Sequence, residues 1–492
     1  MTKLEATTSK PHVRMQRRRI ALPRLRIRTS ERKILLWVVD VMIINLALAV
    51  SWLLAAGNDF TLETITAPYK WYLTLTLVWC INAFIFDVYN LARSASTTNI
   101  VRNIGLAALT TVLVYTLIPW LTPPLQSRTL LFVFGGLVIG GLVAWRTVYA
   151  QLFVQPQFRQ RALIVGAGWA GHTLVETLSS ATDDANPFRG TGYELVGFID
   201  DDPDLAGSAV AGVPVLGGRN VLAAMADALE VDEVILAITQ RHAIADDMFD
   251  ELLRCREMGV HVTSMSTVYE NLTGRVPVQH VGRDLYMALP SGDRPSERVY
   301  MGVKRLADLV GAALGLIVLA ILIVVVAVAN RLKSPGPLFY RQTRVGKGGK
   351  PYLVTKFRSM IPNAEAETGA VWASAGDDRI TPVGRFLRKT RLDEFPQFIN
   401  VLKGEMSLIG PRPERPEFVE QLADTIPFYR ARHAIRPGIT GWAQVGYRYG
   451  SSEDDARIKL EYDLYYVNHM SPLLDIRIIL RTIQVMLEFK GQ

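Results

Sequence analysis

Four long apolar runs crowd the first third of this chain, at residues 34–56, 71–89, 104–121 and 130–153. A helix needs about 20 apolar residues to cross the hydrocarbon core of a bilayer. Each run is long enough, and Arg146 places the end of the fourth nearer residue 145. Arg17, Arg18, Arg19, Arg24, Arg26, Arg28, Arg32 and Lys33 precede the first run. Arg93 and Arg102 follow the second, Arg159 and Arg161 follow the fourth, and the two other loops hold only Lys70 and Arg128. Excess Lys and Arg stay on the cytoplasmic side. The pattern therefore predicts four transmembrane helices over 34–155, with both ends of the bundle inside. A cleaved signal peptide has a short basic region and an apolar stretch of about 7–15 residues, whereas the first run here has 23 residues behind a 33-residue basic tail. Arg17–Arg19 also lie too far upstream of that run for a twin-arginine signal.

The net charge is +8, which taken whole suggests a nucleic-acid partner. It is a sum of unlike parts. Residues 1–33 hold 11 Lys/Arg against 2 Asp/Glu, residues 34–293 hold 14 against 24, and residues 294–492 hold 29 against 20. The first excess is a topology signal, and binding of anionic lipid by the same tail and a topology role alone are both open. The last lies within 331–391, which has 13 Lys/Arg and 4 Asp/Glu. Basic character so distributed points to membrane and phosphorylated small molecules, and nucleic acid drops out. The only cysteines, Cys80 and Cys255, exclude a disulfide framework and a cysteine-based zinc site.

Residues 161–165 read as a short apolar strand, followed by Gly166-x-Gly168-x-x-Gly171 and a helix over 172–180. Further strands at 193–199 and 234–238 and a helix at 220–230 predict a Rossmann-like parallel sheet over about 160–290. Gly166, Gly168 and Gly171 permit close approach of a nucleotide phosphate to a helix N-terminus. However, the first acidic residue after the second strand, Asp200, lies 34 positions after Gly166, against about 20 in the dinucleotide fingerprint. No catalytic tyrosine–lysine pair follows in this region. A structural or regulatory module is favoured over a ligand site, and both remain open.

A fifth apolar run, 309–329, stands between Lys304-Arg305 and Arg331, Lys333. Length alone makes it a span. Basic flanks on both sides favour a run that enters and returns on one face. Beyond it, Lys356-Phe-Arg-Ser-Met360, Arg379, Arg385, Arg388, Lys389 and Arg391 surround one carboxylate pair, Asp393-Glu394, and Gly410-Pro-Arg-Pro413 follows. Arginines hold phosphate oxygens bidentately and stabilise charge that develops in transfer. An aspartate can attack phosphorus, and its neighbour can hold Mg²⁺ on the same diphosphate. The competing reading, acidic residues complementing a helix dipole, is equally compatible with composition alone.

The stretch from Arg298 to the end resembles the bacterial sugar transferase family, the monotopic polyprenyl-phosphate phosphoglycosyl transferases. The resemblance is carried by Ser334-Pro-Gly-Pro337, Arg341-Gln-Thr-Arg-Val-Gly346, Lys356-Phe-Arg-Ser-Met360 and Asp378-Arg-Ile-Thr-Pro-Val-Gly-Arg385. It continues in Leu392-Asp-Glu-Phe-Pro-Gln397, Gly410-Pro-Arg-Pro413, Arg436-Pro-Gly-Ile-Thr-Gly-Trp-Ala-Gln444 and Glu461-Tyr-Asp-Leu-Tyr-Tyr466. The whole layout is similar to the large members that initiate exopolysaccharide or O-antigen synthesis. The resemblance implies transfer of a sugar 1-phosphate from a UDP-sugar, glucose being the commonest donor, to undecaprenyl phosphate with release of UMP. It implies Asp393 as nucleophile, Glu394 as the Mg²⁺ ligand, and Arg388, Arg412, Lys356 and Arg358 around the phosphates. It also implies an α/β catalytic domain over 298–492, anchored at the cytoplasmic face of the bacterial inner membrane by a re-entrant helix at about 305–335 broken at Ser334-Pro335. A homodimer is in keeping with the large members.

Two rival readings remain. A membrane-bound NAD-dependent nucleotide-sugar dehydratase or epimerase needs Tyr-x-x-x-Lys, and Tyr352-x-x-x-Lys356 occurs, but without a glycine fingerprint after residue 300. A non-catalytic assembly subunit is opposed by the presence of Asp393, Glu394, Arg388 and Arg412.

Overall fold

The computed structural model describes residues 29–56, 69–86, 88–89, 97–117, 128–153, 160–180, 193–238, 246–279, 295–362, 364, 379–447, 450 and 452–487. The tail before residue 29, Arg93, Arg159 and Asp378, used above, lie outside them. The first unit is four packed helices, α1 (Thr29–Ala56), α2 (Tyr69–Ile85), α3 (Thr97–Leu117) and α4 (Arg128–Phe153). Leu48, Leu75, Trp79, Ala107, Phe134 and Leu142 form their common core. Helices α1 and α4 are long and apolar enough to cross a membrane. Helix α2 has 17 residues and the apolar part of α3 is Asn103–Leu117, both shorter than expected. The helix does not end where the sequence places the membrane exit, near residue 145. Helix α4 continues to Phe153, and Arg146 stays buried because its Nη2 donates to Asp40 Oδ2 at 2.6 Å.

The middle unit is a six-stranded sheet in the order β3-β4-β2-β1-β5-β6. Its strands are β1 (Gln160–Val165), β2 (Tyr193–Ile199), β3 (Ala209–Val210), β4 (Val213–Gly217), β5 (Glu233–Leu236) and β6 (His261–Ser264). All neighbours are parallel except β3, which pairs antiparallel with β4. Alternation along β1 sends Ala162 and Ile164 to one face, against α5 (Trp169–Ser180) and α8 (Met265–Thr273). Leu163 and Val165 go to the other, against α6 (Leu222–Ala228) and α7 (Asp246–Glu257). Helices on both faces of a parallel sheet fit the expected Rossmann-like layering.

The third unit hangs on α9 (Pro295–Lys333), a single helix of 39 residues, about 58 Å long at 1.5 Å per residue. It is the third helix long and apolar enough to cross a membrane. The expected break at Ser334-Pro335 is corrected to a helix end: α9 runs unbroken to Lys333, and Ser334 N donates to Asn330 O as the last turn closes. One face of α9 packs on the C-terminal fold along most of its length. Arg305 donates to the carbonyls of Val401 and Leu402, and Asp308 accepts from Ser407 Oγ and Leu408 N. Gly311 and Gly315 let Leu408 and Phe398 approach, where an added Cβ would sit 2.5 Å from each side chain. Ala312, Leu319 and Val326 complete the buried face. The opposite face is exposed and apolar at helical spacing: Leu306, Val310, Leu314, Ile317, Ile321 and Val324.

The rest of this unit carries little sheet. An antiparallel hairpin joins β7 (Phe339–Val345) to β8 (Pro351–Phe357), and β9 (Ser407–Ile409) pairs parallel with β10 (Gly438–Thr440). Helices α10 (Pro382–Lys389), α11 (Phe398–Lys403), α12 (Pro416–Thr425), α13 (Trp442–Gly446), α14 (Glu453–Asn468) and α15 (Pro472–Leu487) surround them. Helix α15 divides its surface: Ile478 is buried, while Leu473, Ile476, Ile479 and Ile483 are exposed. The chain leaving α8 is part of this unit, since Val276 and Val278 sit in one core with Val345, Phe418, Leu460 and Leu464.

Candidate active site

The site forms where α10 turns into α11. Thr381 caps α10 by accepting from Gly384 N at 2.9 Å, with Pro382 in the first helical position. Arg391 then adopts the left-handed region (φ 57°), a conformation unusual for a residue with a side chain. It reverses the chain into a 3-10 turn, Leu392–Gln397, whose first residues are Asp393 and Glu394, both buried. Strained backbone of this kind collects at functional sites. Asn400 on α11 fixes the facing strand: its Nδ2 donates to Leu353 O, and its Oδ1 accepts from Thr355 N. That clamp carries Lys356 of β8 to the carboxylate pair.

Glu394 Oε1 accepts from Lys356 Nζ at 3.0 Å and from Arg412 Nη2 at 2.8 Å. The two adjacent carboxylates therefore differ in charge environment. Burial pushes the Asp393 carboxyl up to about 6, and the neighbouring Glu394 charge adds to this against Lys356, Arg412 and Arg388. Burial also disfavours the Glu394 charge, but Arg412, Lys356 and Arg391 outweigh it and hold the group well below the usual carboxylate range. One carboxylate is locked as an anion under two cations, and its neighbour titrates closer to neutrality. Among the described residues no three His, Cys, Asp or Glu side chains gather as a metal cage. Mg²⁺ is commonly bound through one or two carboxylates together with substrate phosphates. The Asp393–Glu394 pair fits that donor set.

Five of the six residues expected around the phosphates and dyad are brought together: Asp393, Glu394, Lys356, Arg412 and, through its charge on Asp393, Arg388. Arg358 is not. It is buried and donates to the carbonyls of Ser334 and Pro335. Gly336, at φ 141°, wraps so closely that a Cβ there would collide with the Arg358 guanidinium. Ser334, Pro335 and Arg358 thus form the end of α9. Gly166, Gly168 and Gly171 stay with the middle sheet, where Asp200 Oδ2 accepts from Ala167 N at 2.7 Å. A Cβ on Gly171 would strike the Gly166 carbonyl, so close strand–helix packing alone requires that glycine. Tyr352 and Lys356 lie on a strand, roughly 13 Å apart at 3.3 Å per residue, too far for a proton-relay pair.

Sequence reasoning missed Arg432. Its guanidinium donates to the Arg412 carbonyl at 3.0 Å and to Asp463 Oδ2 at 2.7 Å. The available signal was the donor-poor Pro411-Arg-Pro413 loop, whose carbonyls need partners from elsewhere.

Residues 299–489 match the bacterial sugar transferase family, and residues 84–263 match a CoA-binding domain. A UDP-N-acetylgalactosamine-undecaprenyl-phosphate N-acetylgalactosaminephosphotransferase of Aeromonas hydrophila is 42% identical over 267 residues, 52% of this chain and 62% of that protein. A UDP-glucose:undecaprenyl-phosphate glucose-1-phosphate transferase of Escherichia coli K12 is 42% identical over 205 residues, 41% of this chain and 43% of that protein. One of the same description from Xanthomonas campestris pv. campestris is 33% identical over 359 residues, 72% of each chain. The chain belongs to the bacterial sugar transferase family. Its match spans less than two thirds of the length of the Aeromonas and Escherichia relatives.

Proposed function

We propose that this chain transfers a sugar 1-phosphate from a UDP-sugar to undecaprenyl phosphate, releasing UMP and leaving a lipid-linked diphosphate sugar. This is the first membrane step of exopolysaccharide, capsule or O-antigen synthesis. The observation that carries the reading is the buried Asp393–Glu394 pair under two cations, with Glu394 Oε1 accepting from Lys356 Nζ at 3.0 Å and from Arg412 Nη2 at 2.8 Å. The Asp393 carboxylate attacks the sugar-bearing phosphorus of the UDP-sugar. The bond from that phosphorus to the bridging oxygen breaks, UMP leaves, and an aspartyl-phosphosugar remains. A phosphate oxygen of undecaprenyl phosphate then attacks the same phosphorus, and the bond to Asp393 breaks. Arg388 and Arg412 stabilise the charge spread over the transferring phosphoryl oxygens. Lys356 keeps Glu394 aligned and ionised. Glu394 would hold Mg²⁺ when it is bound, and the ion would supply charge neutralisation to the transferring phosphoryl group.

The placement of α9 supports a domain kept on one side of the bilayer. Arg305 and Asp308 near its start and Val326 near its end contact the same C-terminal fold. A helix held along one side by a single domain does not carry that domain across a membrane. Its exposed apolar face, with that of α15, suits insertion from one surface. The positive-inside pattern makes that surface cytoplasmic, with the four helices α1 to α4 as the multi-pass anchor.

The test uses the full chain in nanodiscs containing undecaprenyl phosphate, offered UDP-glucose, UDP-N-acetylgalactosamine and UDP-galactose in turn. The expected result is UMP release from one donor that passes one equivalent per chain only when the acceptor is present, lost with EDTA and restored by Mg²⁺. Release of UDP in place of UMP would contradict phosphoglycosyl transfer.

A further inference from the structure

The loop bearing Arg412 has no regular structure and two prolines, Pro411 and Pro413, that lack N–H groups. Its shape is fixed through its carbonyls. Pro411 O accepts from Gly438 N and Glu414 O accepts from Val345 N, both at 2.9 Å. Between them, Arg412 O accepts from Arg432 Nη2 at 3.0 Å, and Pro413 O accepts from Arg344 Nη1 at 3.2 Å. Four consecutive carbonyls are thus held, two of them by guanidinium groups.

Arg432 is the more deeply buried of the two arginines. Its Nη2 also meets Asp463 Oδ2 at 2.7 Å, and its Nη1 donates to Tyr429 Oη at 2.6 Å. Asp463, on α14, is buried and neutralises it. A buried charge without its partner is strongly destabilising, so the pair exists as a unit. Its third bond is the one that reaches the site. The planar fork of arginine satisfies Asp463, Tyr429 and the Arg412 carbonyl together; a lysine, with one nitrogen, does not reproduce that fork.

We infer that Arg432, charge-balanced by Asp463 and oriented by Tyr429, is a positioning residue that sets the Arg412 guanidinium against Glu394 and the transferring phosphate. The inference rests on the proposed phosphoglycosyl transfer. It differs from a purely structural ion pair in acting through one named side chain.

A double-mutant cycle on the full chain in nanodiscs, read as UMP release, separates the two. Arg432→Lys is expected to lower kcat/KM by about 10- to 100-fold, the scale of a misplaced positioning group, with its thermal midpoint showing that the chain folds. In the Arg412→Gln background the same change is expected to add almost nothing, because groups acting as a unit are non-additive. Tyr429→Phe, which removes only a hydroxyl, is expected to give a smaller loss that likewise vanishes in the Arg412→Gln background, and it serves if Arg432→Lys fails to fold. A deficit in Arg412→Gln with a further, additive loss from Arg432→Lys or Tyr429→Phe overturns the positioning role alone. Full activity in Arg412→Gln overturns the reading of the site itself, and the positioning role with it.

Discussion

As the proposed nucleophile, Asp393 would have to be ionised to attack phosphorus, and burial beside Glu394 raises its carboxyl to about 6. Below that pH the nucleophile is protonated and inactive; above it the anion prevails. The UMP burst at limiting UDP-sugar without acceptor, which avoids titration of the lipid phosphate, is therefore expected to rise with unit slope through about pH 6 and then level. Because kcat/KM reports groups of the free enzyme, an acid limb near the ordinary aspartate value of about 3.9 would count against the environment described. At this scale the sequence was legible where motif and chemistry agreed: Asp393, Glu394, Lys356 and Arg412 meet within hydrogen-bonding reach or through one another. Arg358 and Arg432 were not legible. A guanidinium satisfies a carbonyl as readily as a phosphate, and nothing in spacing tells which one a given arginine will face.

Among the elements, the four-helix unit and α9 are where expectation and structure part. Arg146 reads in sequence as the end of a membrane helix, yet its partner Asp40 lies 106 residues upstream, with both side chains fully buried. Only tertiary packing supplies that neutralisation. Removing one partner strands a buried charge, at a cost of about 3–5 kcal/mol, while replacing both by apolar groups is often neutral. Asp40→Leu is therefore expected to lower the thermal midpoint of the nanodisc-bound chain sharply, and Asp40→Leu with Arg146→Met to restore most of it. Additive losses would mean the pair is not the unit described. Helix α9 outruns its apolar stretch of 309–329 because its first turns find partners at a distance: Tyr300 and Lys304 both reach Asp475 on α15. Its end at Ser334-Pro335 owes its form to Arg358, which no local pattern announces.

At the scale of the molecule, the apolar runs and the βαβ alternation made three units legible, but not how they join. Residues 274–278 cross into the C-terminal fold: Trp442 Nε1 donates to Gly274 O, and Val276 N donates to Glu461 O. Such contacts depend on the folded surfaces of two units and leave no periodicity in either sequence. Sidedness is testable at the β7–β8 turn, which is exposed at Lys347. With Cys80→Ala and Cys255→Ala as background, Lys347→Cys is expected to react with an impermeant maleimide only from the cytoplasmic side. Labelling from outside would contradict an α9 that inserts from the cytoplasmic surface without carrying the C-terminal fold across.

The most direct measurement is mass spectrometry of the full chain after incubation with its UDP-sugar and no lipid acceptor. The account predicts a covalent sugar-phosphate adduct on the peptide containing Asp393, formed with stoichiometric UMP, discharged by undecaprenyl phosphate and absent from Asp393→Asn. Full turnover by Asp393→Asn, or UMP release that always requires the acceptor, would contradict it.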